Sequence, residues 1–224
     1  MPPARHASSA AEFVPPEGSG LAALRRAAAD CRGCELYEPA TRTVFGAGPA
    51  DARLLLVGEQ PGDVEDRQGE PFVGPAGKLL DKALDEADLA REGVYLTNAV
   101  KHFKFVPAER GERRIHKTPT RGEVVACLPW LHAELALIRP ELVVCLGATA
   151  AKAVLGPSFK VTERRGRVER AEDHDVIATV HPSAVLRAPD RDEAYRKFLA
   201  DLRAVRAHLG RAARRGAGER ETAP

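Results

Sequence analysis

Four short apolar runs, at 54–57, 94–98, 142–147 and 176–180, recur along the chain. Each is too short for a helix and is closed by glycine or a polar residue, which reads as a buried strand delivered into a turn. Helical patterns separate them. Leu79, Leu80, Ala83, Leu84 and Ala87 fall at helical spacing. Thr120-Arg-Gly-Glu123 has the capping-box spacing and opens a helix that runs to about residue 138, bent at Pro129. Residues 148–155 form a helix stopped by Gly156. Strands alternating with helices imply an α/β fold, a three-layer α/β/α sandwich around a central, mostly parallel four-stranded sheet. Ligands of such sheets bind beyond the carboxyl ends of the strands. Those ends carry Glu59 and Gln60, Asn98, Gly147 and His181.

The rest of the chain fits around that frame. Residues 1–18 are rich in Pro, Ala and Ser and are expected to be disordered, residues 19–209 to form one domain, and 210–224 to be a disordered basic tail. Residues 63–77 read as a long polar loop holding one aromatic, Phe72. Residues 160–170 read as a basic hairpin or sheet-edge segment, and Asp190 caps a final helix. The opening residues lack the apolar run of a signal peptide and no stretch has the length to span a bilayer, so a cytoplasmic protein with reduced thiols is expected. With 34 basic against 32 acidic residues, net charge neither requires nor excludes nucleic acid.

Charge distribution decides more. Residues 101–121 hold seven Lys or Arg against two Glu, with His102 and His116, in a pattern that fits neither helix nor strand. A loop of that length inside a compact domain is usually functional or disordered. Arg110, Arg113, Arg114, Lys117 and Arg121 beside Phe103 and Phe105 suit a phosphate backbone and stacked bases. If the loop folds over the strand rim, His116 becomes a general base or a nucleophile. Cys31-x-x-Cys34 has chelate spacing, Cys127 sits beside the basic loop, and Cys145 lies inside an apolar strand as a core residue. His102 is a reasonable fourth partner for the other three. Zinc accepts such a set, and so does an iron–sulfur cluster, on which His can replace Cys; spacing alone does not separate them.

Taken together, Gly58-Glu-Gln-Pro-Gly62, Glu65-Asp-Arg-Gln-Gly-Glu-Pro-Phe-Val-Gly74, Leu96-Thr-Asn98, His181-Pro-Ser-Ala-Val-Leu-Arg187 and the cysteine placements resemble the iron–sulfur, fourth-family uracil-DNA glycosylases over about residues 20–205. Three departures, Gln60, His102 and the insert Glu112-Arg-Arg-Ile-His-Lys117, resemble the UdgX subgroup, whose members become covalently trapped on uracil-containing DNA. The resemblance implies a [4Fe–4S] cluster on Cys31, Cys34, His102 and Cys127, favouring iron over zinc. It implies a monomer acting on uracil-containing DNA, single- or double-stranded. Phe72 would stack on uracil, and Asn98 would read its amide edge. Gln60, Asp63 and Arg114 join them as expected substrate-side residues, with Arg113 or Arg114 holding the loop in place or contacting phosphate and Arg114 favoured for the loop. His181 would meet the departing uracil anion, Glu59 the cationic sugar, and His116 would attack that sugar. Arg113, Lys117, Ser183, Leu186 and Arg187 would contact DNA, with Val185 and Leu186 entering the groove and Leu186 as wedge. Two alternatives stand beside this: a multiple-turnover glycosylase using water, and a non-catalytic metal-bound DNA module.

Overall fold

A computed structural model of the chain describes residues 9–109, 113–171 and 173–221, with side chains as far as 211. In chain order the elements are α1 (Leu21–Ala29), β1 (Leu54–Gly58), α2 (Asp63–Gln68), α3 (Pro75–Asp85), β2 (Val94–Asn98), β3 (Phe105–Pro107), β4 (Arg114–His116), α4 (Arg121–Ile138), β5 (Leu142–Leu146), α5 (Ala148–Leu155), α6 (Val161–Arg164), β6 (Val168–Ala171), β7 (His174–Thr179), α7 (Pro182–Leu186) and α8 (Arg191–Glu221).

The main sheet has the order β2-β1-β5-β7-β6. The four strands expected from the apolar runs are mutually parallel, and β6 adds an antiparallel edge. That edge lies in the basic segment read as a hairpin or sheet edge. The register aligns the strand ends: Gly58 pairs with Asn98, and Leu146 with Thr179. Both faces are buried, as a sheet covered by helices requires. Side chains alternate between two cores. Leu54, Leu56, Leu96, Val144 and Ile177 pack toward α3, α7 and α8. Leu55, Val57, Tyr95, Val143, Cys145 and Ala178 pack toward α4 and α5. Cys145 is thus the core residue expected of it.

Local chemistry sets the helix starts. Thr120 Oγ1 accepts the Glu123 N–H at 3.3 Å, and Glu123 Oε2 accepts the Thr120 N–H at 2.6 Å, closing the expected capping box of α4. Asp190 Oδ1 accepts the Glu193 N–H at 2.9 Å and opens α8.

Two stretches differ from their expected form. The polar segment after β1 contains α2, nucleated by Glu65. Its carboxylate accepts the N–H of Gly62 at 3.1 Å and of Gly74 at 2.8 Å, so one buried side chain closes the turn at each end. The basic loop contains an antiparallel hairpin, β3 against β4, with Phe105 opposite His116 and Pro107 opposite Arg114. Strands of three residues are too short to leave a periodic signature. Arg110 and Glu112 of that loop lie outside the described residues, as do 1–8 and 222–224 of the termini expected to be disordered. Within the first terminus, Ser9 caps a 3-10 turn at Ala10–Phe13 whose Ala10 is buried. Helix α8 carries the backbone to Glu221. Among the described residues no helix is long and apolar enough to cross a membrane.

Candidate active site

A cavity of about 710 Å³ opens at the carboxyl rim of the sheet, lined among others by Glu59, Phe72, Asn98, His116, His181 and Arg187. The rim residues read from strand ends therefore converge, and the hairpin brings His116 to them. The β1 exit needs glycine. A Cβ on Gly58 would stand 2.2 Å from Asn98 Oδ1 and 2.6 Å from Phe72 Cζ, so Asn98 and Phe72 close over bare backbone. Phe72 itself sits at φ 58°, a left-handed conformation uncommon outside glycine and found where a site dictates it.

His181 has a defined tautomer. The Ser183 backbone N–H donates to its Nδ1 at 3.2 Å, so Nδ1 is an acceptor and the neutral ring carries its proton on Nε2. Burial, with His116 and Arg187 nearby, lowers its pKa to about 4. At neutral pH it is an uncharged donor. His116 Nε2 lies 3.6 Å from Glu59 Oε1, beyond a hydrogen bond but within strong electrostatic reach. Burial lowers the His116 pKa and Arg187 adds to that, while Glu59 opposes it. The shift favours the neutral imidazole, the form a nucleophile must have.

Gln60 and Asp63 line the cavity and also help hold the hairpin, and Arg114 holds the loop as expected of it. The Gln60 amide donates to the carbonyls of Lys104 at 3.2 Å and Lys117 at 3.1 Å, and its Oε1 accepts the Lys104 N–H at 3.0 Å. Both ends of that side chain are taken up by backbone. Arg114 donates to Asp63, to Asp66 Oδ2 at 2.5 Å, to Thr41 Oγ1 at 3.1 Å and to the Asp63 carbonyl at 3.2 Å. Its guanidinium also covers the rings of Phe103 and Phe105. Asp63 faces Arg67 and Arg114. Asp66, fully buried, and the Thr41 backbone N–H that it accepts were not singled out in the sequence. A pair 48 residues apart leaves no local signal.

Arg187 is exposed and Ser183 and Leu186 are partly so at the cavity lining, while Arg113 and Lys117 are exposed on the hairpin that carries His116. Val185 is the exception. It is buried against the α3–α8 core, because α7 is a single short helix whose inward face must be apolar. It does not enter a groove.

Below the rim, Cys31, Cys34 and Cys127 share one buried cluster with Trp130. The Trp130 Nε1–H donates to Cys31 Sγ at 3.2 Å, and the Lys101 N–H to Cys127 Sγ at 3.3 Å. Burial raises the Cys34 thiol pKa and pushes Cys127 up to about 12. His102 is buried, with Nε2 2.9 Å from Thr43 Oγ1 and Nδ1 without a partner. Among the described residues, no three His, Cys, Asp or Glu side chains stand close enough to hold a single metal ion.

Beside the cysteines, Lys101 and Glu134 form an ion pair at 2.6 Å with no exposed surface. Glu134 also accepts from Tyr95, Thr97 and the Gly46 N–H, while Lys101 donates to Thr97 and the Asn98 carbonyl. The network locks the turn that leaves β2.

A family model described as the uracil DNA glycosylase superfamily matches residues 45–203. A type-4 uracil-DNA glycosylase of Thermotoga maritima is 40% identical over 159 residues, 70% of this chain and 78% of that protein. One from Archaeoglobus fulgidus is 40% identical over 173 residues, 74% and 82% of the two chains. One from Pyrobaculum aerophilum is 34% identical over 179 residues, 76% and 87%.

Proposed function

The chain belongs to the uracil DNA glycosylase superfamily, and from that premise we propose that it is a self-trapping member of the UdgX type. It is an enzyme of uracil excision from DNA. The finer reading is that it stays bonded, through His116, to the sugar it has stripped. The observation that supports this is the His116 imidazole held 3.6 Å from Glu59 at the cavity mouth, on a hairpin tied down by Gln60 and Arg114.

The target nucleotide must leave the base stack to reach this cavity. Phe72 offers a stacking face and Asn98 a donor and an acceptor for the pyrimidine edge. As the C1′–N1 bond breaks, its electron pair leaves with uracil. The Nε2–H of His181 donates to the developing oxyanion, a stabilisation that grows with the charge. The sugar turns oxocarbenium-like, and the Glu59 carboxylate faces that cation. A lone pair on the His116 ring then forms a C1′–N bond. The proton on its other nitrogen passes to solvent, and the uracil anion takes a proton from water. A tethered imidazole beside the carbon has an effective concentration that free water does not match. Arg113, Lys117 and Arg187 supply exposed positive charge for phosphates. Leu186, partly exposed at the mouth, remains the proposed wedge.

We further propose that Cys31, Cys34, His102 and Cys127 hold a [4Fe–4S] cluster. The donor set fits. Two sulfurs receive N–H donors, which a thiolate accepts far better than a neutral thiol, and the buried His102 Nδ1 lacks any partner. The three cysteines share one buried cluster, and the bond from the Lys101 N–H to Cys127 Sγ sets Cys127 against the residue next to His102. Bound there, the cluster would supply cross-bracing of α1, the β2 exit and α4, with no part in bond making.

A denaturing gel tests the function. Wild-type protein is mixed with a uracil-containing single-stranded oligonucleotide, beside His116→Ser. A retarded band that survives boiling in detergent, and is missing in the variant, is the expected result. Free uracil exceeding protein in molar terms would establish the water-using glycosylase instead, and no uracil at all a non-catalytic module. Iron and sulfide content of purified protein, lost in Cys127→Ser, tests the cluster.

A further inference from the structure

Glu59 needs an orientation as well as a position. Its side chain has three rotatable bonds, and the reaction requires the same oxygen to face His116 each time. Among the described residues, one hydrogen bond reaches this carboxylate: the Thr149 hydroxyl donates to Glu59 Oε2. The opposite oxygen, Oε1, is the one that faces His116 Nε2.

Thr149 stands in the first turn of α5, on the joint that leaves β5. The same joint contacts the other side of the site. Gly147 N–H donates to the Thr179 carbonyl at 2.8 Å, continuing the ladder to the strand that delivers His181. Gly147 has φ 94°, and a Cβ there would stand 3.1 Å from His181 Cβ. The three residues Gly147, Ala148 and Thr149 thus touch the leaving-group histidine at one end and the sugar-side carboxylate at the other.

We propose that Thr149 is a positioning residue for the reaction, fixing the Glu59 carboxylate so that Oε1 is presented to the sugar and to His116; this rests on the roles proposed above for Glu59 and His116. The hydroxyl acts through Glu59 and touches no reacting atom. It occupies one carboxylate oxygen and leaves the other for the cation that forms at C1′ and for the imidazolium that follows. Without it, the carboxylate samples other rotamers, and the share of productive encounters falls while DNA binding is untouched.

The test compares Thr149→Val, which keeps the shape and removes the donor, with Thr149→Ser, which keeps the donor. Thr149→Ala repeats the loss without the branched methyl groups, should valine disturb the helix start. Single-turnover uracil release and cross-link formation are both followed on a uracil-containing oligonucleotide, at saturating and half-saturating protein. Val and Ala are expected to lower the saturating rates at least about 10-fold, within the range for a hydrogen bond to a charged acceptor, with unchanged half-saturation and near-wild-type rates for Ser. Wild-type rates in Val and Ala would overturn the proposal. So would equal losses in Val and Ser, which would make the effect one of packing. If wild-type protein releases uracil without cross-linking, the capture reading fails by itself. Thr149 is then judged on uracil release alone, where Glu59 still faces the cation: slowing supports its role and no slowing overturns it.

Discussion

Replacing Arg114 with methionine should separate excision from capture. The magnitude follows from what Arg114 neutralises. Asp66 has 0% side-chain exposure and Arg114 12%, so this is a buried pair. Removing one partner of such a pair typically costs about 3–5 kcal/mol, because the other charge is stranded. Asp66 keeps the Thr41 backbone N–H, at 3.0 Å, which offsets part of that. The contact with Asp63, whose side chain is 40% exposed, adds under about 1 kcal/mol. A net of about 2–4 kcal/mol remains. The chain has an inexpensive way to relieve it: the hairpin lifts and water reaches Asp66. The loss then appears as docked population and hardly at all as melting temperature. At 1.4 kcal/mol per tenfold, the docked fraction falls by about 30- to 1,000-fold relative to the lifted one.

Cross-linking needs the docked hairpin, whereas uracil release uses Phe72, Asn98, His181 and Glu59, all carried outside it. In a quenched single-turnover series, Arg114→Met should therefore cross-link at least about 30-fold more slowly if the docked form no longer predominates. Uracil release should continue, with a free abasic site as product. Arg114→Lys, which keeps charge but not the fork, should fall between. Wild-type cross-linking in Arg114→Met would refute the argument that the Asp63–Asp66 clamp holds the nucleophile in place.

Cross-linking should depend on pH through His116. Attack requires the neutral ring, and its pKa is lowered from the usual 6.5, chiefly by burial, so the rate should be flat above pH 7 and fall in acid; a half-point above 7 in the pH–rate profile would contradict this. Gly58→Ala should lower uracil release about 10- to 100-fold, since its Cβ meets Asn98 Oδ1 at 2.2 Å and overpacking of 1–3 kcal/mol would displace the base-reading side chain, as single-turnover release would record. Lys101→Met strands Glu134 in a site of zero exposure, and a loss of about 3–5 kcal/mol should lower the melting temperature by roughly 6–20 °C in calorimetry.

The sheet and its rim were legible because both rest on local pattern. An apolar run closed by Gly58, or ending at Asn98, states where a strand stops, and parallel pairing then brings the ends together. The capping box at Thr120 is equally local. What escaped reading depends on contacts between distant residues. Arg114 meets Asp66 across 48 positions, and Gln60 meets the backbone at 104 and 117. Thr149 reads as an ordinary helical residue until the β1 and β5 exits are adjacent. Gln60 is expected on the substrate side, and it does line the cavity, but its amide is spent on the hairpin backbone, a contact that no local pattern announces. Val185 is expected in the groove through the resemblance of the 181–187 motif, yet a one-turn helix on a sheet has an inward face, and Val185 is on it.

Two different mechanical supports therefore serve one reaction. Base reading and bond breaking rest on strand ends in fixed register, which place the backbones of Asn98, Glu59 and His181, with Thr149 holding the Glu59 carboxylate. The capturing imidazole rests on a hairpin of two three-residue strands held by side chains: one amide, one guanidinium and the carboxylates that receive it. The amide contacts are individually modest and the buried guanidinium pair is worth more, but each can be removed singly without unfolding the core. It follows that substitutions at Gln60, Asp66 or Arg114 should change what happens to the sugar cation, and substitutions at Gly58, Asn98 or His181 whether it forms. A variant of Gln60 that stopped uracil release altogether, while remaining folded, would show that the two supports are not separable and that the hairpin also shapes the base pocket.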